Sequence, residues 1–96
     1  MFWAKVYVLK YDTICAICDK EILGKIFKFK GVEIKISERF YKGEMVDKDR
    51  AVKIMKNSNI GNLFGKRIVE LAIKEKIIDR RNVLLINKIP HAQFLK

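Results

Sequence analysis

The sequence predicts an α+β fold in which two or three helices pack on one side of a small antiparallel or mixed sheet. Apolar residues alternate with period two in the first 36 residues, as in strands, and recur at helical spacing between residues 47 and 76. Half of the 96 residues are hydrophobic, which is enough for one core but not for two. We therefore expect residues 1–96 to form a single compact domain.

Segments with the alternation and composition of strands dominate the first third of the chain. They are residues 3–11, 13–18, 26–30 and 32–36. In the first segment Trp3 and Tyr7 share one face. Asp19 offers an N-cap for a short helical turn, which Gly24 could close. Gly31 separates the last two segments as a turn residue, so these two segments predict a hairpin.

A first helix is predicted near the middle of the chain. Asp47 or Asp49 can cap a helix that runs through Lys56, and its apolar residues share one face. Residues 57–59, with the sequence Asn-Ser-Asn, break the helical pattern. The first helix should therefore end at about Lys56.

A second, longer helix and a final strand complete the predicted elements. Apolar residues at i, i+4, i+7 and i+8 predict an amphipathic helix from about Phe64 to Lys76. Residues 83–86 are aliphatic and predict a strand. The tail beyond them is interrupted by Pro90, the only proline of the chain.

The charge of the chain points to a polyanionic partner. Lys and Arg number 21 against 11 Asp and Glu, which gives a formal charge of +10. Residues 49–96 hold eleven basic and four acidic residues, while residues 1–48 hold ten and seven. An excess of this size attracts phosphate-bearing ligands and contributes nothing to the choice of fold.

A membrane or secreted location is not expected from the sequence. The longest aliphatic run, Val83–Ile86, is far shorter than the ~20 apolar residues of a membrane span. Lys5 and Lys10 interrupt the region where a signal peptide would be apolar. We therefore expect a cytoplasmic protein.

Four short segments carry a family resemblance when they are taken together. They are residues 18–25 (Cys-Asp, then Glu-Ile-Leu-Gly-Lys), 37–44 (Ser-Glu-Arg-Phe-Tyr-Lys-Gly-Glu), 59–61 (Asn-Ile-Gly) and 89–93 (Ile-Pro-His-Ala-Gln). In this order they resemble a small archaeal family known as a domain of unknown function, number 424. The resemblance covers nearly the whole chain and implies an archaeal cytoplasmic protein of one domain. It carries over no catalytic residue, and Cys15 departs from the family pattern.

The segment 59–67 is the first candidate binding site. Two glycines four residues apart at a helix start would let backbone N–H groups approach an anion, and two cations follow them. The candidate phosphate ligands are Gly61, Asn62, Gly65, Lys66 and Arg67. The spacing and the Arg after Lys66 differ from a Walker loop, so magnesium-nucleotide chemistry is disfavoured. The alternative is structural: Asn59 or Asn62 caps the helix, and the glycines allow a tight turn.

Aromatic and basic residues at 39–43 form a second candidate site. Arg39, Tyr41 and Lys42, with Phe40 between them, read as a loop that could stack a base and hold its phosphate. The alternative is that Phe40 anchors the loop in the core while Tyr41 covers its rim. Further candidate RNA or phosphate ligands are Arg80, Arg81 and His91, of which His91 could equally be a hydrogen-bonded turn residue.

The spacing of Cys15 and Cys18 is that of a redox dithiol or of half a zinc site. A closed zinc site needs four ligands, and the chain offers no second cysteine pair and one histidine. We therefore expect two reduced, mostly buried thiols, no bound metal and no cofactor.

The function that this sequence favours is binding rather than catalysis. Ser37 and Ser58 lie outside any nucleophile-elbow pattern, and the acidic residues are spaced as caps and solvent-facing charges. We expect a non-enzymatic RNA-binding module associated with the ribosome, translation or RNA processing. RNA is favoured over DNA because the sequence predicts no helix with a basic, groove-reading face, whereas loops that combine aromatic residues, glycines and cations suit RNA. The alternatives are a small anion- or nucleotide-binding enzyme centred on Gly61–Arg67, and a protein-interaction domain for an acidic partner. The oligomeric state is not predicted.

Overall fold

The computed structural model describes residues 1–96 and contains eight strands and three α-helices. Their bounds are β1 Phe2–Val8, β2 Thr13–Asp19, β3 Ile26–Phe29, β4 Val32–Lys35, α1 Glu38–Tyr41, β5 Glu44–Val46, α2 Lys48–Lys56, β6 Ile60–Phe64, α3 Lys66–Lys74, β7 Leu84–Ile86 and β8 Ile89–Leu95. Short 3₁₀ turns follow β2 and precede β7. The predicted α+β class is confirmed.

Six strands form one mixed sheet in the order β5-β1-β2-β6-β8-β7. Strands β2 and β6 are parallel, whereas all other neighbours in this sheet are antiparallel. Strands β3 and β4 form a separate two-stranded hairpin, as the turn at Gly31 predicted. The parallel pair at the centre is joined by a long crossover that includes the hairpin, α1, β5 and α2.

The two faces of the sheet are covered by different elements. Helices α2 and α3 pack on one face, over a core that includes Cys15, Ile17 and Leu63. The hairpin and α1 lie on the opposite face, over a second core that includes Cys18 and Phe64. Successive residues of β2 thus enter different cores, which explains why this strand is apolar throughout and does not alternate.

Side-chain caps fix the starts of the helices. Asp47 caps α2, since its Oδ1 accepts a hydrogen bond from the Arg50 N–H at 2.9 Å. Ser37 caps α1 through the N–H of Phe40. Helix α3 has no local cap, because the residue before it is Gly65. Its cap comes from strand β2.

Three predicted elements are corrected by the structure. Residues 60–64, predicted as the glycine turn and start of a helix, form the central strand β6, and α3 begins only at Lys66. Residues 39–41, predicted as a loop, lie in the one-turn helix α1. The tail after β7 forms strand β8 despite Pro90, which is its second residue and whose carbonyl accepts a hydrogen bond from Gly65.

None of the helices combines the length and the apolar composition that crossing a membrane requires.

Candidate nucleic-acid interface

The predicted site residues fall into two separate regions of the structure. Gly65, Lys66 and Arg67 lie at the start of α3, with Arg80 beside the same cleft and Arg81 next to it in sequence. Asn62 and His91 lie on the opposite sheet face with α1, which carries Arg39 and Tyr41 and is followed by Lys42.

The backbone N–H groups at the start of α3 bind the carboxylate of the protein's own Asp19. Its Oδ2 accepts a hydrogen bond from the Arg67 N–H at 2.9 Å, and its Oδ1 accepts one from the Ile68 N–H at 2.8 Å. Burial raises the pKa of Asp19, and these two backbone N–H groups oppose that rise. The N–H groups predicted to hold a phosphate are therefore already bound to a carboxylate.

Both glycines of the predicted phosphate cradle have a packing role. Gly65 has a φ of 123°, and a side-chain Cβ there would lie 2.6 and 2.8 Å from the Asp19 carboxylate oxygens. Gly61 is in β6, where a Cβ would overlap the ring of Phe94. The geometry assumed for the cradle, two glycines at one helix start, is thus wrong.

The arginines of this region are ion-paired. The Arg67 guanidinium holds both carboxylate oxygens of Glu21 and also donates to the Met1 carbonyl. Arg80 pairs with Glu70 through two 2.9 Å hydrogen bonds. Arg81 pairs with Asp79 at 3.0 Å. These guanidinium charges are compensated locally, which weakens their attraction for an external phosphate.

A cleft of about 600 Å³ adjoins the start of α3. Its charged side chains are three acids and three bases: Asp19, Glu21, Glu70, Lys66, Arg80 and Lys88. A pocket of balanced charge gives no electrostatic preference for an anion or a nucleotide. The structure therefore provides no support for an anion-binding enzyme centred on Gly61–Arg67.

The opposite sheet face has an uncovered part that we call the open face. Strand pairing places two rows of side chains across it, because paired residues of neighbouring strands share a face. The outer row is Tyr7, Ile14, Ile60 and Leu95, and the inner row is Lys5, Ala16, Asn62 and Gln93. Within these rows Gln93 and Leu95 are exposed, whereas Ala16 is fully buried. Phe40 of α1 borders these rows, and a groove of about 440 Å³ runs between Phe40 and β8.

Aromatic rings border the open face beside α1. The rings of Tyr7 and Phe40 stack, with centroids 5.8 Å apart and planes 25° from parallel. The Tyr7 hydroxyl donates a hydrogen bond to the Phe40 carbonyl at 2.8 Å, which holds the pair together. Phe40 remains 37% exposed, whereas Tyr41 is 5% exposed. The suggested arrangement, with Phe40 in the core and Tyr41 at the rim, is the reverse of the observed one.

Lys5 and Arg39 lie beside this aromatic pair, and Lys42 lies over the ring of Trp3. The Lys5 ammonium donates to the Arg39 carbonyl at 2.9 Å and lies 5.4 Å from the Tyr7 ring centroid. The Lys42 ammonium lies 5.4 Å from the ring centroid of Trp3. None of Lys5, Arg39 and Lys42 forms an ion pair. The positive charge of Lys5 and Arg39 is therefore available to a ligand on the open face.

Asn62 is the centre of a polar cluster at the inner edge of the open face. Its Oδ1 accepts hydrogen bonds from the Tyr41 hydroxyl at 2.7 Å and from His91 Nε2 at 3.1 Å. Burial raises the pKa of the Tyr41 phenol, which keeps it a proton donor. Burial lowers the pKa of His91, so its imidazole is neutral at neutral pH and supplies no charge to a phosphate.

Comparison with known proteins decides the family. Residues 9–96 match the family model described as "Protein of unknown function (DUF424)". The chain belongs to this family. The match confirms the resemblance seen in the four sequence segments.

A solved relative shares the fold of this member of the family. The structure described as "an uncharacterized conserved protein from Methanopyrus kandleri", an archaeon, superposes with a TM-score of 0.82. The alignment covers 97% of this chain and 89% of that chain at 24% identity. Comparison with curated proteins gave no match.

Sequence reasoning missed most of the open face. It named Arg39, Tyr41, Asn62 and His91 individually but placed Asn62 in a turn or cap before a helix and His91 in a tail. The rows that contain Tyr7, Ile14, Ile60 and Leu95 were not predicted, because they depend on pairing among four strands that are distant in sequence. One signal was available: Trp3, Lys5 and Tyr7 alternate on one face of β1, which is unusual for a wholly buried face.

The two cysteines lie on opposite faces of β2 and cannot share a ligand or a bond. Cys15 belongs to the core beneath α2 and α3, and Cys18 belongs to the core beneath the hairpin. Both thiols are free. Burial raises the pKa of both, and that of Cys18 to about 12. The predicted reduced, buried thiols are what the structure contains.

Proposed function

We propose that this protein is a non-enzymatic module that binds single-stranded RNA on the open face. The observation that carries the proposal is the stacked pair of Tyr7, which is half-buried, and Phe40, which is 37% exposed, next to Lys5 and Arg39, which have no acidic partner. Aromatic rings stack on bases of any sequence, and nearby cations neutralise the phosphates between them. Stacking of this kind contributes about 1–3 kcal/mol per base.

The dimensions and chemistry of the open face suit nucleotides. The groove between Phe40 and β8 has apolar walls from Ile14, Ile60 and Leu95, while the amides of Asn62 and Gln93 line its inner side. Apolar walls accommodate base faces, and amide groups can hydrogen bond to base edges. Lys5 and Arg39 are placed beside the stacked rings, where the RNA backbone would pass.

The charge of the whole chain supports a polyanionic partner. Five of the 21 Lys and Arg side chains form ion pairs within the chain. The remainder attract phosphates at long range and accelerate association. A ribonucleoprotein, such as the ribosome or an RNA-processing assembly, is the partner class we propose, because such assemblies expose single-stranded RNA.

Binding rather than catalysis also fits the Asn62 cluster. Both Tyr41 and His91 make hydrogen bonds to one amide oxygen. The pKa of Tyr41 is raised and that of His91 is lowered, so both move away from a proton-transfer role at neutral pH. A general acid or base works best with a pKa near the operating pH.

The proposal is tested by removing the aromatic ring of Phe40 while keeping its apolar packing. A Phe40→Leu variant should bind a single-stranded oligouridine roughly tenfold more weakly in fluorescence anisotropy, since one stacking contact is lost. The matched control is Phe29→Leu on the hairpin, outside the open face, which should bind as the wild type does. Equal affinities for the wild type and Phe40→Leu would contradict the proposal.

A further inference from the structure

We propose that Asn62 selects keto bases, uracil and guanine, over amino bases, cytosine and adenine, in the RNA that the open face binds. This inference rests on the proposed function and names a specificity-determining residue within it. Two observations support the inference: the orientation of the Asn62 amide, and its Nδ2 atom, which has no hydrogen-bond partner.

The Asn62 side chain is held with its oxygen inward. Its Oδ1 is shared by the Tyr41 hydroxyl and His91 Nε2, which approach from two different elements. The Tyr41 hydroxyl makes no other hydrogen bond, so it must donate its proton to this oxygen. Asn62 also lies within β6, between β2 and β8, where the backbone is fixed on both sides.

The amide nitrogen of Asn62 is left facing the groove. Its Nδ2 has no hydrogen-bond partner in the chain. Every fully buried side-chain nitrogen or oxygen atom of the protein has a partner, so the unpaired Nδ2 is not fully buried. Asn62 also lines the groove together with Phe40 and Ile60. The open face therefore presents a hydrogen-bond donor, and no acceptor, from this position.

A fixed donor discriminates between bases by the group on their edge. Uracil and guanine place a carbonyl oxygen where cytosine and adenine place an amino group. The carbonyl accepts a hydrogen bond from Nδ2, whereas the amino group would bring two donors together and leave both unpaired. One hydrogen bond that is made to a keto base and lost with an amino base gives roughly 2- to 10-fold discrimination.

Gln93 provides a matched contrast in the same row. It is paired with Asn62 across β6 and β8, and it lines the same groove. It is exposed, and no side-chain hydrogen bond fixes its amide. A free amide can rotate by half a turn and present either its oxygen or its nitrogen, so Gln93 should not discriminate between bases.

The experiment compares affinities for oligouridine and oligocytidine of about 8 nucleotides, a length typical of such surfaces. The wild type should prefer oligouridine roughly 2- to 10-fold. Asn62→Asp keeps the shape and the acceptor for Tyr41 but turns the groove-facing donor into an acceptor, so it should prefer oligocytidine. Gln93→Glu introduces the same charge on a side chain that no hydrogen bond positions, so it should weaken both affinities and shift the uridine-to-cytidine ratio much less than Asn62→Asp does.

A second variant tests the orientation itself. Tyr41→Phe removes one of the two donors that hold Oδ1, so the amide can turn and the ratio should fall towards one. Equal wild-type affinities for the two oligonucleotides, or an unchanged ratio in Asn62→Asp, would overturn the inference. Failure of the wild type to bind either oligonucleotide would instead overturn the proposed function, and this inference with it.

Discussion

Asp19 caps helix α3 from the end of a central strand, with its Oδ2 2.9 Å from the backbone nitrogen of Arg67, 48 residues later in the chain. The second oxygen accepts from the next N–H of the helix. This contact ties β2 to α3 and compensates the positive end of the helix dipole. It also decides which surface of the molecule is open to an anion, because the start of α3 is filled.

Replacing Asp19 should destabilise the protein more than replacing an ordinary local cap. Asp19→Ala leaves two N–H groups of α3 without an acceptor and should lower the free energy of unfolding by about 1–3 kcal/mol. The control is Asp47→Ala, which removes the single local cap bond of α2 and should cost about 1 kcal/mol. Urea denaturation measures both, and an Asp19→Ala variant as stable as the wild type would refute the capping role.

The ion pair between Glu21 and Arg67 should make stability depend on pH. Hydrogen bonds from Arg67 lower the pKa of Glu21 from 4.5 to about 2. The depressed value means that the pair stabilises the fold above the ordinary pKa and that this contribution is lost as the pH falls through about 2. Because both groups are exposed, the contribution should be below about 1 kcal/mol.

Glu21→Gln provides the matching measurement. Urea unfolding should show the variant slightly less stable than the wild type at about pH 7, and most of that difference should be gone at about pH 2. A difference that stays constant between these pH values would argue against the pair.

Gly61 should tolerate no side chain while Phe94 faces it. Gly61→Ala places a Cβ where the ring of Phe94 lies and should cost about 1–3 kcal/mol by overpacking. Adding Phe94→Leu should recover part of that loss, because the shorter side chain makes room. A double-mutant cycle measured by urea unfolding gives the coupling free energy between residues 61 and 94. A coupling free energy near zero would show that the two residues do not compete for space.

The two thiols should be unreactive in the folded protein. Cys15 and Cys18 are fully buried, and the pKa of Cys18 is raised to about 12, so neither supplies thiolate at neutral pH. A thiol-specific reagent followed by mass spectrometry should add no label under native conditions and two labels in urea. Rapid labelling of the native protein would place at least one thiol at the surface.

Local patterns predicted the elements whose determinants are near one another in sequence. The alternation in β1, the turn at Gly31 and the cap at Asp47 each depend on a few neighbouring residues, and all three occur as predicted. The start of α3 was placed too early because its cap, Asp19, comes from another strand. Only tertiary contacts could reveal that a residue of another strand caps this helix.

The candidate site was less predictable than the fold for the same reason. Gly61 and Asn62 suggested a turn by composition, yet their roles are set by Phe94 and by Tyr41 and His91 from distant elements. The open face exists because β1, β2, β6 and β8 align in one register. No single segment of sequence carries that information.

Salt dependence should reveal which cations meet the RNA. If Lys5, Arg39 and Lys42 each neutralise one phosphate, log K should fall with log salt at a slope of about −2. An Arg39→Gln, Lys42→Gln variant should make the slope shallower by about one unit. The same charge change on the hairpin, Lys28→Gln with Lys35→Gln, should leave the slope nearly unchanged, and equal effects of the two variants would point to non-specific attraction by the whole surface.

The most direct test of RNA binding on the open face is a titration of isotope-labelled protein with oligouridine, followed by amide chemical shifts. The account predicts shifts confined to the two rows and α1, above all at Tyr7, Ile14, Phe40, Asn62 and Leu95. The chemical shifts of the amides at the start of α3 and in the hairpin should not change. Shifts centred on Lys66, Arg67 and Arg80 with an unchanged open face, or no shifts at all, would contradict it.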